Sequence, residues 1–550
     1  MRYSDKSMYR HFADNTAHLS DDNKCISYYG RTLSKGEFFA HCDALADYLR
    51  SQGVGKGGNV VLCLPNIPDA IVAFYAINKT GAVVNAVHPL VTGEALRGFV
   101  KDMNACAAVL FEEFYPKYAE YLKDLDLPLI IASAADYLPA AYKPFYRLHT
   151  AKAAKSVPYG GKVVRYRDVI SGKISFDEQK SDYPEIRGKD IAVYMHSGGT
   201  TGASKTVMLD NSAFNCLAEN ALALIGGKPV DDRDGMLMVL PIFHTFGLGI
   251  CMHTTICAGG QVVLMPKFDP KRACKLLRST SATFISGVPN MFAKMLDSGY
   301  FKGKYVRRLK HCYCGGDKLS NSVKERFYNA TAAAGNPIRL NEGYGLTEAG
   351  ICCVNTPQNY REGSIGKPFE NTRFGIFDDS DKPLPCGSVG NLCISSNTMM
   401  TGYYADEEGT KKAFFDYDDA KWVRTGDMGR IDEDGFVYFV DRKKRVIKIA
   451  GNNVFPQEIE NVVNKVEGVR RSCVVAMTVD GKPQVKLIVQ PCKGADRDTL
   501  KKAVLQEIGA KMLKYAMPRQ VEFRDRLPLT QIGKVDYRKL EETGGENAQY

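Results

Sequence analysis

The chain has 550 residues, 45% hydrophobic and 25% charged, with a formal net charge of +11. These values suit a globular protein and, by length, about three or four domain-sized units. No run of about 18 apolar residues is present, which argues against a membrane-spanning helix. The start, Met1-Arg-Tyr-Ser-Asp-Lys-Ser7, lacks the apolar centre of a signal peptide. Sixteen cysteines are scattered without metal-ligand spacing, so reduced thiols in a cytoplasmic protein are expected. The charge is uneven: residues 441–550 hold 22 Lys/Arg against 14 Asp/Glu. That basic end suits small anionic partners. No basic-aromatic motif supports nucleic acid.

In chain order, residues 1–60 read as helical material ending at Gly53-Val-Gly-Lys-Gly-Gly58. Val60-Val-Leu-Cys-Leu64, Ala107-Ala-Val-Leu-Phe111 and Leu129-Ile-Ile131 read as strands, and Ala70–Ile77 as a helix stopped by Gly81. Strands alternating with helices predict parallel α/β layers. Leu138 to Arg167 holds seven Lys/Arg, no acid and five tyrosines or phenylalanines. It reads as a solvated excursion or as a patch leaning on anionic lipid.

Ile191-Ala-Val193 reads as a buried strand leading into Tyr194-Met-His-Ser-Gly-Gly-Thr-Thr-Gly-Ala-Ser-Lys205. Glycines let backbone N–H groups turn toward an anion, hydroxyls add donors, and Lys205 adds a mobile charge. This is the composition of a phosphate-holding loop. It is neither a Walker A loop nor a dinucleotide fingerprint, and its bland alternative is a flexible connector. Further strands are read at Met236–Leu240, Gln261–Met265 and Ala282–Ile285. His244 follows the first of these where α/β folds place ligands, although a lone histidine is more often structural. Gly315 and Gly316, followed by Asp317, would let a flat ligand approach the backbone.

Asn341-Glu-Gly-Tyr344-Gly-Leu-Thr347-Glu348 sets an aromatic between glycines, then a hydroxyl and a carboxylate. It reads as half of a nucleotide site, or as a loop leading into a capped helix. A β-rich part follows. Asp427, after Gly426, is placed to accept from two neighbouring hydroxyls, as on a ribose. Asp441-Arg-Lys-Lys-Arg445 reads as a solvated junction, and Lys534 by itself as a surface lysine.

Taken together and in order, Ser197–Lys205, Gly343-Tyr-Gly-Leu-Thr-Glu348, Trp422-Val-Arg-Thr-Gly-Asp427, the stretch Asp441–Glu460 and Gly533-Lys534 resemble the adenylate-forming superfamily, most closely its acyl-CoA ligase branch. The resemblance covers nearly the whole chain. It implies a large N-terminal domain (1–443) of layered α/β subdomains plus a β-rich part, and a small mobile α+β C-terminal domain (444–550). It implies attack of a carboxylate on ATP to give acyl-AMP, followed by transfer to coenzyme A. Ser197, Gly198, Gly199, Thr200, Thr201, Gly202 and Lys205 would hold phosphates. Tyr344 would stack on adenine beside Gly315, Gly316 and Asp317. Thr347 would touch the α-phosphate, Glu348 would bind Mg2+, and Asp427 with Arg442 would take the ribose. Lys534 would bridge the reacting anions, and His244 would line the acyl pocket. Lys444 would be the hinge, and Lys448 and Gly451 would serve the thioester step.

The chain departs from the family pattern at Ser204 and Thr206, which flank Lys205 in place of Pro and Gly. It departs again at Gly198, Asp317-Lys318 and Asn391. The expected function is an AMP-forming acid–CoA ligase for a medium- or long-chain fatty acid, peripheral to a membrane if 138–167 touches lipid. Its rivals are an aryl or sterol-type acid as substrate, or a carrier protein as acceptor.

Overall fold

A computed structural model describes residues 4–175, 183–197, 205–224, 230, 233–449, 452–479, 482–528 and 535–542. The chain forms two compact units. The first takes residues 1–360, 366–373 and 395–423, and the second takes 361–365, 374–394 and 424–550.

The first unit carries two large, mostly parallel sheets. The eight-stranded one runs, edge to edge, through Gly402–Tyr403, Lys205–Asp210, Ile191–Ser197, Val83–Ala86, Asn59–Cys63, Ala107–Phe111, Leu129–Ala132 and Val163–Arg165. Its six strands from Ile191–Ser197 onward are parallel, and the two at the other edge are antiparallel. The nine-stranded sheet has six parallel strands, from Lys24–Tyr28 to Asn341–Leu346, with antiparallel strands at both edges. Parallel strands are buried on both faces and need crossover helices. The run Asn59-Val-Val-Leu-Cys63 is accordingly buried at all five positions.

The crossover helix Pro68–Thr80 is apolar on every side and buried everywhere except at Lys79. Such a helix must be covered on every side. Tyr75 meets the rings of Phe12, Phe38 and His253, which come from three different segments. Gly81, at φ +82°, ends this helix in the left-handed conformation that a side chain disfavours.

Residues 1–60 are not all helical. Helices Met8–Asn15 and Lys35–Ser51 form, but Lys24–Tyr28 and Arg31–Ser34 make a hairpin. Tyr29 and Gly30, both at positive φ, supply its two-residue turn. Pairing of Ile26 with Val262, more than two hundred residues away, stabilises the strand. No local signal reports such a partner. Within 138–167 the chain forms the helix Lys143–Ser156 and the edge strand Val163–Arg165.

In the second unit, Val469–Val479, Lys482–Pro491 and Gln520–Phe523 form a three-stranded sheet. Helices Pro456–Val463 and Arg497–Lys511 bury Ile459, Val463, Val504 and Ile508 in a core with Val485, Leu487 and Val489. The charge run at 441–445 is solvated only in its middle: Arg442, Lys443 and Lys444 are exposed, whereas Asp441 and Arg445 at its ends are packed. Asp441 is fully buried and accepts from the backbone N–H of Gln457 at 2.7 Å, capping the start of helix Pro456–Val463. Arg445 bonds Glu460 at 2.5 Å and lies 3.8 Å from Asp441. Burial opposes its charge, but the two carboxylates more than offset that and hold its pKa above the ordinary value. Glu460 also accepts from the N–H of Val474 at 2.8 Å, tying this helix to the sheet.

Removing one partner of a buried ion pair leaves an uncompensated charge. Arg445→Ala is expected to destabilise the second unit by about 3–5 kcal/mol. Chemical unfolding followed by hydrogen exchange at Val474 and Val485 checks this. Unchanged protection would refute the tie.

Candidate active site

The base of the glycine-rich loop is a ladder. Antiparallel strands Ile191–Ser197 and Lys205–Asp210 set His196 opposite Thr206 and Ser197 opposite Lys205. Gly198, Gly199, Thr200, Thr201 and Gly202 lie outside the described residues, between two ends that the ladder holds together. His196 locks the base: its Nε2 is 2.7 Å from Asn85 Oδ1 and its Nδ1 is 3.0 Å from Thr206 Oγ1. Asn85 Oδ1 only accepts, so Nε2 carries the proton and Nδ1 accepts from the threonine. Phe99 covers the ring at 4.2 Å, and burial lowers the His196 pKa to about 4.

Beyond Lys205–Asp210, the short strand Gly402–Tyr403 adds to the sheet edge with Tyr403 opposite Val207. The Lys205 ammonium lies 4.1 Å from the Tyr403 ring centroid and 3.6 Å from Asp406. The Tyr403 hydroxyl donates to Glu348 Oε1 at 3.1 Å. Glu348 is also fixed through its backbone, whose carbonyl accepts from Met400 N at 2.8 Å. The structure thus brings together Lys205 and Glu348, which are 143 positions apart, through a tyrosine that sequence reasoning did not single out.

Asn341–Leu346 is a strand rather than the start of a helix. It turns back into Gly350–Val354, with Tyr344 opposite Cys353 and Thr347 and Glu348 in the turn. The close return needs a glycine at 345, where a Cβ would lie 2.3 Å from the carbonyl oxygen of Gly350. On the other side, Cys314 pairs in parallel with Glu342, so Gly315, Gly316 and Asp317 leave the sheet beside this strand. A Cβ on Gly315 would lie 3.2 Å from the Gly343 carbonyl and 3.4 Å from the Phe246 ring. The two backbones therefore approach closely next to Tyr344. Glu342 is occupied elsewhere, in a pair with Lys324 at 2.5 Å. Asp317 is exposed and accepts from the N–H of Lys318 at 2.9 Å.

His244 is exposed, six residues after the strand Gly235–Met238. Its ring lies against Phe243, which in turn meets His88 at 4.5 Å. A wide, π-type helix, Phe246–Thr254, begins two residues later.

In the second unit, Asp427 and Arg442 face each other across paired strands, Nε to Oδ1 at 3.0 Å, with Asp427 buried and Arg442 half exposed. Thr425 accepts from the Asp427 N–H at 3.0 Å and donates to the Leu392 carbonyl. Asn391 is used structurally, donating to the Asp378 carbonyl at 2.8 Å. Lys444 is exposed in the turn Lys443–Arg445, and Lys448 is exposed on the hairpin Ile447–Ile449/Asn452–Val454. Gly451 and Lys534 lie outside the described residues.

Comparison with known proteins shows the family and the fold of the chain. The AMP-binding enzyme family matches residues 12–404, and the AMP-binding enzyme C-terminal domain matches 458–534. A long-chain-fatty-acid–CoA ligase of Bacillus subtilis (strain 168) is 30% identical over 541 residues, covering 96% of this chain and 92% of its own. A feruloyl-CoA synthase of an Amycolatopsis species is 27% identical, covering 94% and 95%. The solved structure of ATP-bound MatB from Rhodopseudomonas palustris superposes with a TM-score of 0.80 at 24% identity, over 97% and 98% of the two chains, and so shares the fold.

His196 gives the base of the loop an acid sensitivity. Its folded pKa, about 4, is below the ordinary 6.5, so its neutral form is the one the fold accommodates. Stability is complete above about pH 6.5 and falls as pH drops toward 4, by up to about 3 kcal/mol from this group. Replacing it by Gln is expected to flatten that part of the stability–pH curve, measured by urea unfolding at pH 7 and 4.5. An unchanged slope would show that His196 is not buried neutral.

Proposed function

The chain belongs to the family of AMP-binding enzymes, and on that premise we propose how its residues share the work of an ATP-dependent, AMP-forming ligase that joins a fatty acid to coenzyme A. The breadth of the kinship carries this reading, because it spans both family domains. In the first half-reaction, a carboxylate oxygen attacks the α-phosphorus of ATP and pyrophosphate leaves. In the second, the thiol of coenzyme A attacks the acyl carbon and AMP leaves. A carboxylate is already ionised at neutral pH, so the first step needs no general base. Its difficulty is the approach of two anions.

We assign the β- and γ-phosphates to Ser197, Gly198, Gly199, Thr200, Thr201, Gly202 and Lys205. The base of this loop is the His196-locked ladder. Adenine stacks on Tyr344, beside the backbone of Gly315, Gly316 and Asp317. The close approach of the Gly315 and Gly343 backbones next to Tyr344 supports this. Thr347 contacts the α-phosphate. The Glu348 carboxylate would hold magnesium, which when bound would supply charge neutralisation to the phosphate oxygens. Asp427 accepts from the ribose hydroxyls with Arg442 beside it. Lys534 offsets the charge that develops between carboxylate and α-phosphate. His244, on the exposed segment after a parallel strand, borders the acid. The chain pivots at Lys444 between domains 1–443 and 444–550, and Lys448 and Gly451 then serve the thioester step.

A long-chain acid partitions into lipid, and we place the membrane-facing surface on helix Lys143–Ser156. Phe145 is 76% and Leu148 80% exposed, with Tyr142 at 54% just before the helix. Arg147, Lys152 and Lys155 are exposed on the same helix. Its inner side is anchored by buried Thr150 and by Tyr146, whose hydroxyl donates to Glu113. Apolar side chains among cations, with no carboxylate from 138 to 167, suit an anionic headgroup layer. Among the described residues, no helix is long and apolar enough to cross a membrane.

Purified full-length protein with ATP, magnesium and coenzyme A is expected to release AMP with long-chain fatty acids. Pyrophosphate release without coenzyme A-dependent turnover would instead favour a carrier-protein acceptor, and a preference for ferulate or sterol acids would overturn the substrate. Lys534→Ala should slow acyl-AMP formation at least about a hundredfold while sparing thioester formation from preformed acyl-AMP. Equal losses would refute its assignment. Phe145→Ser/Leu148→Ser should weaken co-sedimentation with phosphatidylglycerol vesicles about tenfold or more, and equal binding would refute the membrane surface.

A further inference from the structure

We propose that Tyr403 is a two-sided positioning residue: its hydroxyl holds the Glu348 carboxylate in place, and its ring seats the Lys205 ammonium. The inference rests on the reading of Glu348 as the metal carboxylate and Lys205 as a phosphate-binding cation. It adds the residue that sets both.

The backbone of Tyr403 is held on several sides. Its N–H donates to Thr410 Oγ1 at 2.8 Å, and the N–H of Tyr404 donates to the Thr206 carbonyl at 2.8 Å. At Gly402 a Cβ would lie 2.9 Å from Thr410 Cγ2, which keeps the short strand close to helix Glu407–Ala413. Tyr403 is 9% exposed, so its ring cannot swing freely and its hydroxyl needs a partner. The partner is a carboxylate, and such charge-assisted bonds are stronger than neutral ones.

This bond uses one lone pair of Glu348 and leaves the others for a hard cation. The other side works through the ring. An ammonium 4.1 Å from the centroid is held by the negative face of the ring. Asp406, which caps helix Glu407–Ala413 through the N–H of Gly409, sits 3.6 Å from the same ammonium. Lysine has a long, flexible stem, and a ring beside it narrows where the charge points. One side chain therefore sets the position of a cation on the loop strand and of an anion in the Thr347–Glu348 turn.

The two sides separate by mutation. Tyr403→Phe removes only the donor, whereas Tyr403→Leu removes both. The readout is equilibrium binding of ATP to the full chain, first in EDTA and then as a function of magnesium, alongside kcat and KM. Tyr403→Phe should leave metal-free ATP affinity within twofold and raise the magnesium needed for half-maximal ATP binding about fivefold or more. Tyr403→Leu should show that shift and also weaken metal-free binding about fivefold. An unshifted magnesium requirement in Tyr403→Phe, with a shift in Glu348→Gln, would overturn the hydroxyl's role alone. No shift in Glu348→Gln would overturn the underlying assignment of Glu348, and the hydroxyl's role with it. Unchanged metal-free affinity in Tyr403→Leu would overturn the ring's role.

Discussion

Register at the sheet edge is the constraint on which the site depends. Ser197 faces Lys205 because Ile191–Ser197 and Lys205–Asp210 pair as antiparallel strands, and a slip of one residue would turn every side chain to the other face. The pairing gives the loop residues between them two fixed ends. It also puts Lys205 next to the strand that brings Tyr403, and hence next to Glu348. His196 secures this register with two part-buried side-chain bonds.

The chemistry asks for cations near several anions without loss of solubility or shape. The chain meets this by giving its charges different tasks. Some are buried and structural: Asp441, Arg445 and Glu460 tie a helix to a sheet, and Glu342 is held by Lys324. Others stay at the surface of their unit, as Arg442, Lys444 and Lys448 do. Net charge by itself does not distinguish the two groups. Partners and burial do.

The large sheets explain where the site residues fall. Ligand-facing positions in parallel α/β sheets gather where strands end and connections begin. Gly315 follows the strand His311–Cys314, and His244 follows Gly235–Met238. Thr347 and Glu348 follow Asn341–Leu346. The antiparallel return to Gly350–Val354 makes the last of these a rigid turn instead of a helix start, which suits a carboxylate held by its backbone and its side chain together.

Much was legible in the chain because it is local. Short apolar runs such as Asn59–Cys63 read as buried strands, Gly81 stops a helix, and five motifs in a fixed order mark the family. What only the tertiary structure decided depends on partners far apart in sequence. The hairpin at Lys24–Ser34 exists because Ile26 finds Val262. Of the charges at 441–445, Asp441 and Arg445 turn inward because Glu460 and the start of a helix meet them. Tyr403 matters because one ring reaches both Lys205 and Glu348. A motif records which groups the chemistry requires. The neighbours that hold those groups in place are chosen by packing, and packing energy belongs to pairs of residues that the chain does not place side by side.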